Sequence, residues 1–104
     1  MTKRSKACDI PKKVKDEVWE RDSKCCIICG TPTALPSMHY ISRAHGGLGI
    51  PENIVTGCMR CHYDYDFGDR DTRETIQITI REYLMDKYPD WDEAKLVYRK
   101  WENI

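Results

Sequence analysis

Apolar positions along the chain change period several times, and each change marks a predicted element. In "IPKKVKDEVWERD", Val14, Val18 and Trp19 recur at helical spacing behind Pro11, which predicts an amphipathic helix over residues 11–21. The period is lost in "CCIICGTPTALPS", where Gly30, Pro32 and Pro36 predict turns. Aromatic and β-branched side chains cluster in "MHYIS", predicting a short strand. The glycines and proline of "AHGGLGIPEN" predict a loop, and "NIVTG" a second strand pairing back onto the first. A helix is predicted from Cys58 or Met59 to about Phe67, closed by Gly68. Asp71 or Thr72 then caps a longer helix through about Lys87, with Ile76, Ile80, Tyr83, Leu84 and Lys87 on related faces, and Pro89 breaks it. Asp92 caps a last helix with Leu96, Val97 and Trp101 as its apolar stripe, and core packing is the expected role of the aromatics there. The class expected is α+β, as one domain over residues 1–104: a core at about 10–67 and a helical extension at about 70–104.

Composition narrows this picture. A chain of 104 residues, 40% hydrophobic and 33% charged, has the balance of a folded domain with a modest core, to which a structural metal would add stability. No apolar run reaches membrane-spanning length, and "MTKRSKACDI" lacks the apolar segment of a secretion signal. A cytoplasmic (intracellular) protein with no membrane partner is expected. The formal charge of zero hides an asymmetry: residues 1–50 carry nine basic and five acidic side chains, residues 51–104 eight and twelve. The basic front half suits a polyanion, or equally a solvated charged helix behind a frayed tail.

Two Cys-x-x-Cys pairs, Cys26–Cys29 and Cys58–Cys61, are separated by 28 residues. In a reducing compartment such pairs read as metal ligands rather than disulfides, and together they complete a tetrahedral thiolate shell. Four protein ligands leave no open position, so a Zn²⁺ there staples the fold and does not activate water. Two zinc-linked turns around a hairpin and a helix predict a treble-clef-like knuckle. Cys8 and Cys25 are left without a function; Cys25 could compete with Cys26 as a ligand, but three residues lie between it and Cys29 instead of two.

A second group of metal-seeking residues lies beside the first. His62 follows Cys61 directly, and on one helix a 100° step turns it away from the four-cysteine site. Asp66, four residues later, returns to nearly the same face. Imidazole nitrogen with carboxylate oxygen suits a divalent metal that keeps positions open for water and phosphate, while a solvated helix acid is the plainer role for Asp66.

Taken together, "CCIICG … HYISRAHGGLGIPENIV … CMRCH" resembles the HNH endonuclease family in its four-cysteine zinc form, over roughly residues 10–67. The GGLG-x-P-x-N segment is similar to that of small phage-associated members. His39, Asn53 and His62 fall on the positions that name the family. Asn53 lies fourteen residues after His39 and His62 nine after Asn53, similar to the bacterial colicin DNases.

The resemblance implies a ββα-metal core and a metal-dependent DNA endonuclease. His39 is then the general base toward water, Asn53 the residue that holds the hairpin loop, and His62 a ligand of a catalytic Mg²⁺, Mn²⁺ or Ni²⁺. Asp66 takes a second ligand position, and Arg43 is the candidate for binding the scissile phosphate, with His45 in the same loop. DNA is the implied partner, with phage packaging proteins as a further candidate. Met38 departs from the pattern: the family commonly places an acidic residue or histidine just before the base, and a thioether is a poor ligand for hard cations. On this reading Met38→Asp adds a ligand and tightens metal binding. The alternative function is a zinc-stabilised DNA- or protein-interaction module whose catalytic site has decayed.

Overall fold

The computed structural model describes residues 2–99. In the basic N-terminal segment Thr2 Oγ1 accepts the Ser5 amide and caps a helix, α1, over Lys3–Cys8. Pro11 precedes α2, Lys12–Arg21, whose Val18 is buried. The chain then reverses through Ser23 and Lys24, both left-handed at φ 58° and 59°. Strands β1, Leu35–His39, and β2, Ile54–Gly57, form a two-stranded antiparallel sheet in which Met38 pairs with Val55 and His39 with Ile54. Helix α3, Met59–Phe67, follows β2 after one residue, and α4, Arg70–Lys87, packs against it. The class is α+β.

Three predicted boundaries move. The first strand begins at Leu35 and ends at His39, earlier than "MHYIS" suggests, with an irregularity between Leu35 and Met38 that accommodates Pro36. The cap of α4 is Asp69, whose Oδ1 accepts the Thr72 amide at 2.8 Å, so Asp71 lies inside the first turn. The last helix is only a 3₁₀ turn, Glu93–Leu96; Val97 instead bridges to Gly47, and Trp101 lies outside the described residues. Its backbone is drawn to the loop after β1, where Leu48 N donates to Leu96 O and Tyr98 N to Gly46 O, each at 2.8 Å.

The core is built from Met38, Tyr40, Val55, Ile76, Ile80, Leu84 and Leu96. Trp91 packs edge-on against Tyr40 with ring centroids 5.7 Å apart, as expected of a C-terminal aromatic in the core. Along the free edge of β2 a polar node joins three elements. The buried Asp22 carboxylate accepts from the Thr56 amide, the Tyr83 hydroxyl and the Arg21 guanidinium at 2.7 Å each. Arg21 also donates to the carbonyls of Pro51 and Ile54, which ties α2 to β2 and α4. Among the described residues no helix is long and apolar enough to cross a membrane.

Candidate functional site

The two cysteine pairs meet. Sulfurs of Cys26, Cys29, Cys58 and Cys61 all lie within 4.8 Å of one another, a geometry consistent with a structural zinc. Each pair is presented by a local device. After the first, Gly30 turns at φ 82°, letting its amide bond Cys26 O while Cys26 N bonds Thr31 O. In the second, Cys58 is the N-cap of α3 and its sulfur accepts the Cys61 amide at 3.3 Å. None of the six cysteines is in a disulfide; Cys25 and Cys8 stand outside the cluster.

The electrostatics of the cluster suit a cation. Burial opposes ionisation of Cys26, but amides of Cys29, Cys58 and Ile28 aimed at its sulfur outweigh this and bring the thiol down to about 7. Burial pushes Cys61 far up, and the neighbouring sulfurs of Cys58, Cys26 and Cys29 add to the effect. Four sulfurs so placed cannot all ionise unaided, whereas a bound divalent ion deprotonates coordinating thiols outright.

On the far side of α3 a cleft of about 760 Å³ brings together His39, His62, Asp66 and Arg43, with Asp9, Lys15 and Ser42. His62 Nε2 lies 3.5 Å from Asp66 Oδ2, one helical turn apart. Both side chains are a little under half exposed, which leaves solvent positions around any ion they hold. These two donors converge as α3 dictates, and their chemistry fits a hard divalent cation.

His39 ends β1 and is half-buried. Its Nε2 is 2.9 Å from Cys8 O, and a carbonyl only accepts, so Nε2 carries the hydrogen. In the neutral ring Nδ1 is therefore the lone-pair nitrogen. Burial pushes the His39 pKa down, as do the charges of Arg43 and His62, against the opposing pull of the Cys8 carbonyl and Asp66. Burial thus favours the neutral ring, and the Cys8 carbonyl selects its Nε2–H tautomer.

Asn53 is fully buried and acts on the loop, not on His39 directly. Its Oδ1 accepts Ile41 N at 2.8 Å, and Nδ2 donates to Leu48 O at 2.9 Å and Ile41 O at 3.1 Å. A Cβ on Gly47 would collide with Ile41 O and with that amide, so the glycine makes room for the clasp. Within the clasped loop, Arg43 and His45 part company. Arg43 Nη1 pairs with Asp9 Oδ1 at 2.8 Å in the His39 cleft. His45 Nδ1 is held by Ser42 Oγ at 2.8 Å and faces a neighbouring cleft.

Met38 corrects one expectation. Strand alternation sends its side chain opposite to His39, into the core, where it is fully buried and its sulfur fills the space a side chain at Gly57 would take. A ligand at position 38 would not reach the His62–Asp66 pair. Met38→Asp is accordingly expected to destabilise the fold by about 3–5 kcal/mol, through a lost core side chain and a buried carboxylate, without tightening divalent-metal binding. Chemical denaturation and calorimetric metal titration check the two halves; an equally stable variant with tighter binding would return position 38 to the site.

Sequence reasoning missed the N-terminal arm. Cys8 supplies the carbonyl that sets the His39 tautomer, and Asp9 supplies the partner of Arg43. Neither carries a local signal, since the contacts span more than thirty residues of chain. A scan against protein-family models found no match, and searches of curated proteins and of solved structures found no significant one.

Proposed function

We propose that this chain is a metal-dependent DNA endonuclease of the HNH type, with His39 as general base and a separate structural zinc on the four cysteines. The observation that carries the reading is the His39 ring itself, fixed through Nε2 to Cys8 O, its neutral form favoured by burial, and sharing a cleft with His62, Asp66 and Arg43. The order β1, β2, α3, with one cysteine pair before the hairpin and the other at the start of α3, supports a ββα-metal, treble-clef-like core.

In the reaction, His39 Nδ1 takes a proton from the water that attacks phosphorus. His62 and Asp66 would hold the catalytic divalent ion, which would supply positive charge against the negative charge that builds on the phosphate and its leaving oxygen. Arg43 binds the scissile phosphate. Its pair with Asp9 is about half exposed, and such pairs are worth little, so the two non-bridging oxygens of a DNA phosphate can compete for the guanidinium fork. Asn53 keeps the loop carrying Arg43 in register with β2.

One observation favours the second reading, a decayed interaction module: among the described residues the four cysteines alone form a cluster of three or more close metal donors. Nicking of supercoiled plasmid by zinc-loaded protein in Mg²⁺, Mn²⁺ and Ni²⁺ separates the two. Conversion to open-circular or linear DNA in at least one metal is the expected result. Intact plasmid in all three, from protein with full zinc content, would leave the decayed module standing.

A further inference from the structure

Two clefts meet at Asp66. The first is that of His39 and His62. The second, of about 770 Å³, opens between the loop after β1 and the α3–α4 corner, and His45, Tyr65, Arg70 and Arg73 line it. Ser42 and Asp66 belong to both. A polymer with one phosphate beside His62 and Asp66 therefore enters the second cleft when it runs across the Ser42–Asp66 ridge.

The chemistry of the second cleft suits a polyanion. Arg70, at the start of α4, is exposed, and no hydrogen bond or ion pair to the described residues occupies its guanidinium. Arg73 is anchored through Nε to Tyr65 O at 3.2 Å, which positions its head and leaves the two terminal nitrogens for a ligand. The opposing acids in the lining are Glu74 and Asp66. Once Asp66 is committed to a cation, two arginines face a single carboxylate. Planar guanidinium forks match phosphate oxygens in pairs.

We propose that this second cleft is the subsite for the DNA strand flanking the cleaved phosphodiester, with Arg70 and Arg73 as its phosphate contacts. The inference rests on the nuclease reading and deepens it by assigning the direction in which the strand leaves the reacting centre. Arg70 and Arg73 bind and orient; they take no part in proton transfer.

The test is anisotropy of a short fluorescent duplex with the full zinc-loaded chain across a salt series, beside plasmid cleavage. Arg70→Ala and Arg73→Ala should each weaken binding several-fold and reduce the slope of log affinity against log salt by about 1. In cleavage, KM should rise while kcat at saturating DNA stays within about twofold of the parent. Arg60→Ala removes the same charge from the cysteine-site side of α3 and is the control. If Arg73→Ala loosens the corner and lowers thermal stability, Arg70→Ala alone decides. Parental affinity and salt slope in the arginine variants, a loss no greater than that of Arg60→Ala, or a fall in kcat with unchanged affinity would each overturn the subsite. A parent that binds duplex but cuts in no metal removes the nuclease reading, and the affinity comparison still decides the cleft; a parent that neither binds nor cuts removes both.

Discussion

Cys58→Ser is expected to cost the protein its zinc and, with it, the link between the turn before β1 and the start of α3. Cys58 does two jobs at one position: its sulfur sits in the four-thiol cluster, and the same sulfur caps α3 by accepting the Cys61 amide. A serine hydroxyl can still cap a helix, so the loss isolates the metal contribution. Structural zinc on four thiolates contributes on the order of 10 kcal/mol of binding free energy, comparable to the whole stability of a domain this size. Elemental analysis after dialysis should find about one equivalent of zinc in the parent and far less in the variant, with a collapse of the cooperative thermal transition. Cys25→Ser should leave both unchanged, because Cys25 lies outside the cluster. A Cys58→Ser protein that keeps its transition, or a parent folded without zinc, would refute a structural zinc here.

His39→Ala is expected to lower cleavage by about 10²–10⁴-fold, the contribution typical of a positioned general base, while zinc content and helix signal stay at parental values. The separation follows from placement: His39 ends β1 in the cleft beside α3, away from the four sulfurs. The pH dependence supplies an independent check. The pKa of His39 lies below the ordinary value of 6.5, chiefly because the ring is buried. The neutral, base-competent form therefore predominates at pH 6.5 and above and is lost only as pH falls through the lowered value. With the divalent metal kept saturating at every pH, so that protonation of the His62 ligand does not limit the rate, the midpoint of the parent's acid limb should lie below pH 6.5, whereas the residual activity of His39→Ala should lack that limb. Unchanged cleavage in the variant would remove His39 from the mechanism, and loss of zinc would show that the two sites are not separate.

Much of this molecule is local and was legible as such. A Cys-x-x-Cys followed by glycine makes its own turn, and a Cys-x-x-Cys at a helix start makes its own cap, so the cysteine spacing alone determined which four thiols would meet. The same holds for His62 and Asp66, which one helical turn brings to within 3.5 Å. The hairpin order and the helices carrying the core stripe of Ile76, Ile80 and Leu84 were likewise written in apolar period.

What the tertiary structure decided is the direction of side chains and the partners supplied from far along the chain. Met38, Tyr40 and Ile41 are all apolar, so the sequence left open which parity of the strand faces the core; a start at Leu35 and the irregularity before Met38 settled it, turning Met38 inward and His39 to the cleft. The short 3₁₀ turn at Glu93–Leu96 replaced a helix because its backbone found better partners in the loop after β1. The tautomer of His39 and the pairing of Arg43 depend on Cys8 and Asp9, brought in by packing of the N-terminal arm. Periodicity reports which residues want burial, and spacing reports what one turn or helix can bring together; neither encodes a hydrogen bond closed across thirty residues, which exists only once the intervening chain has folded.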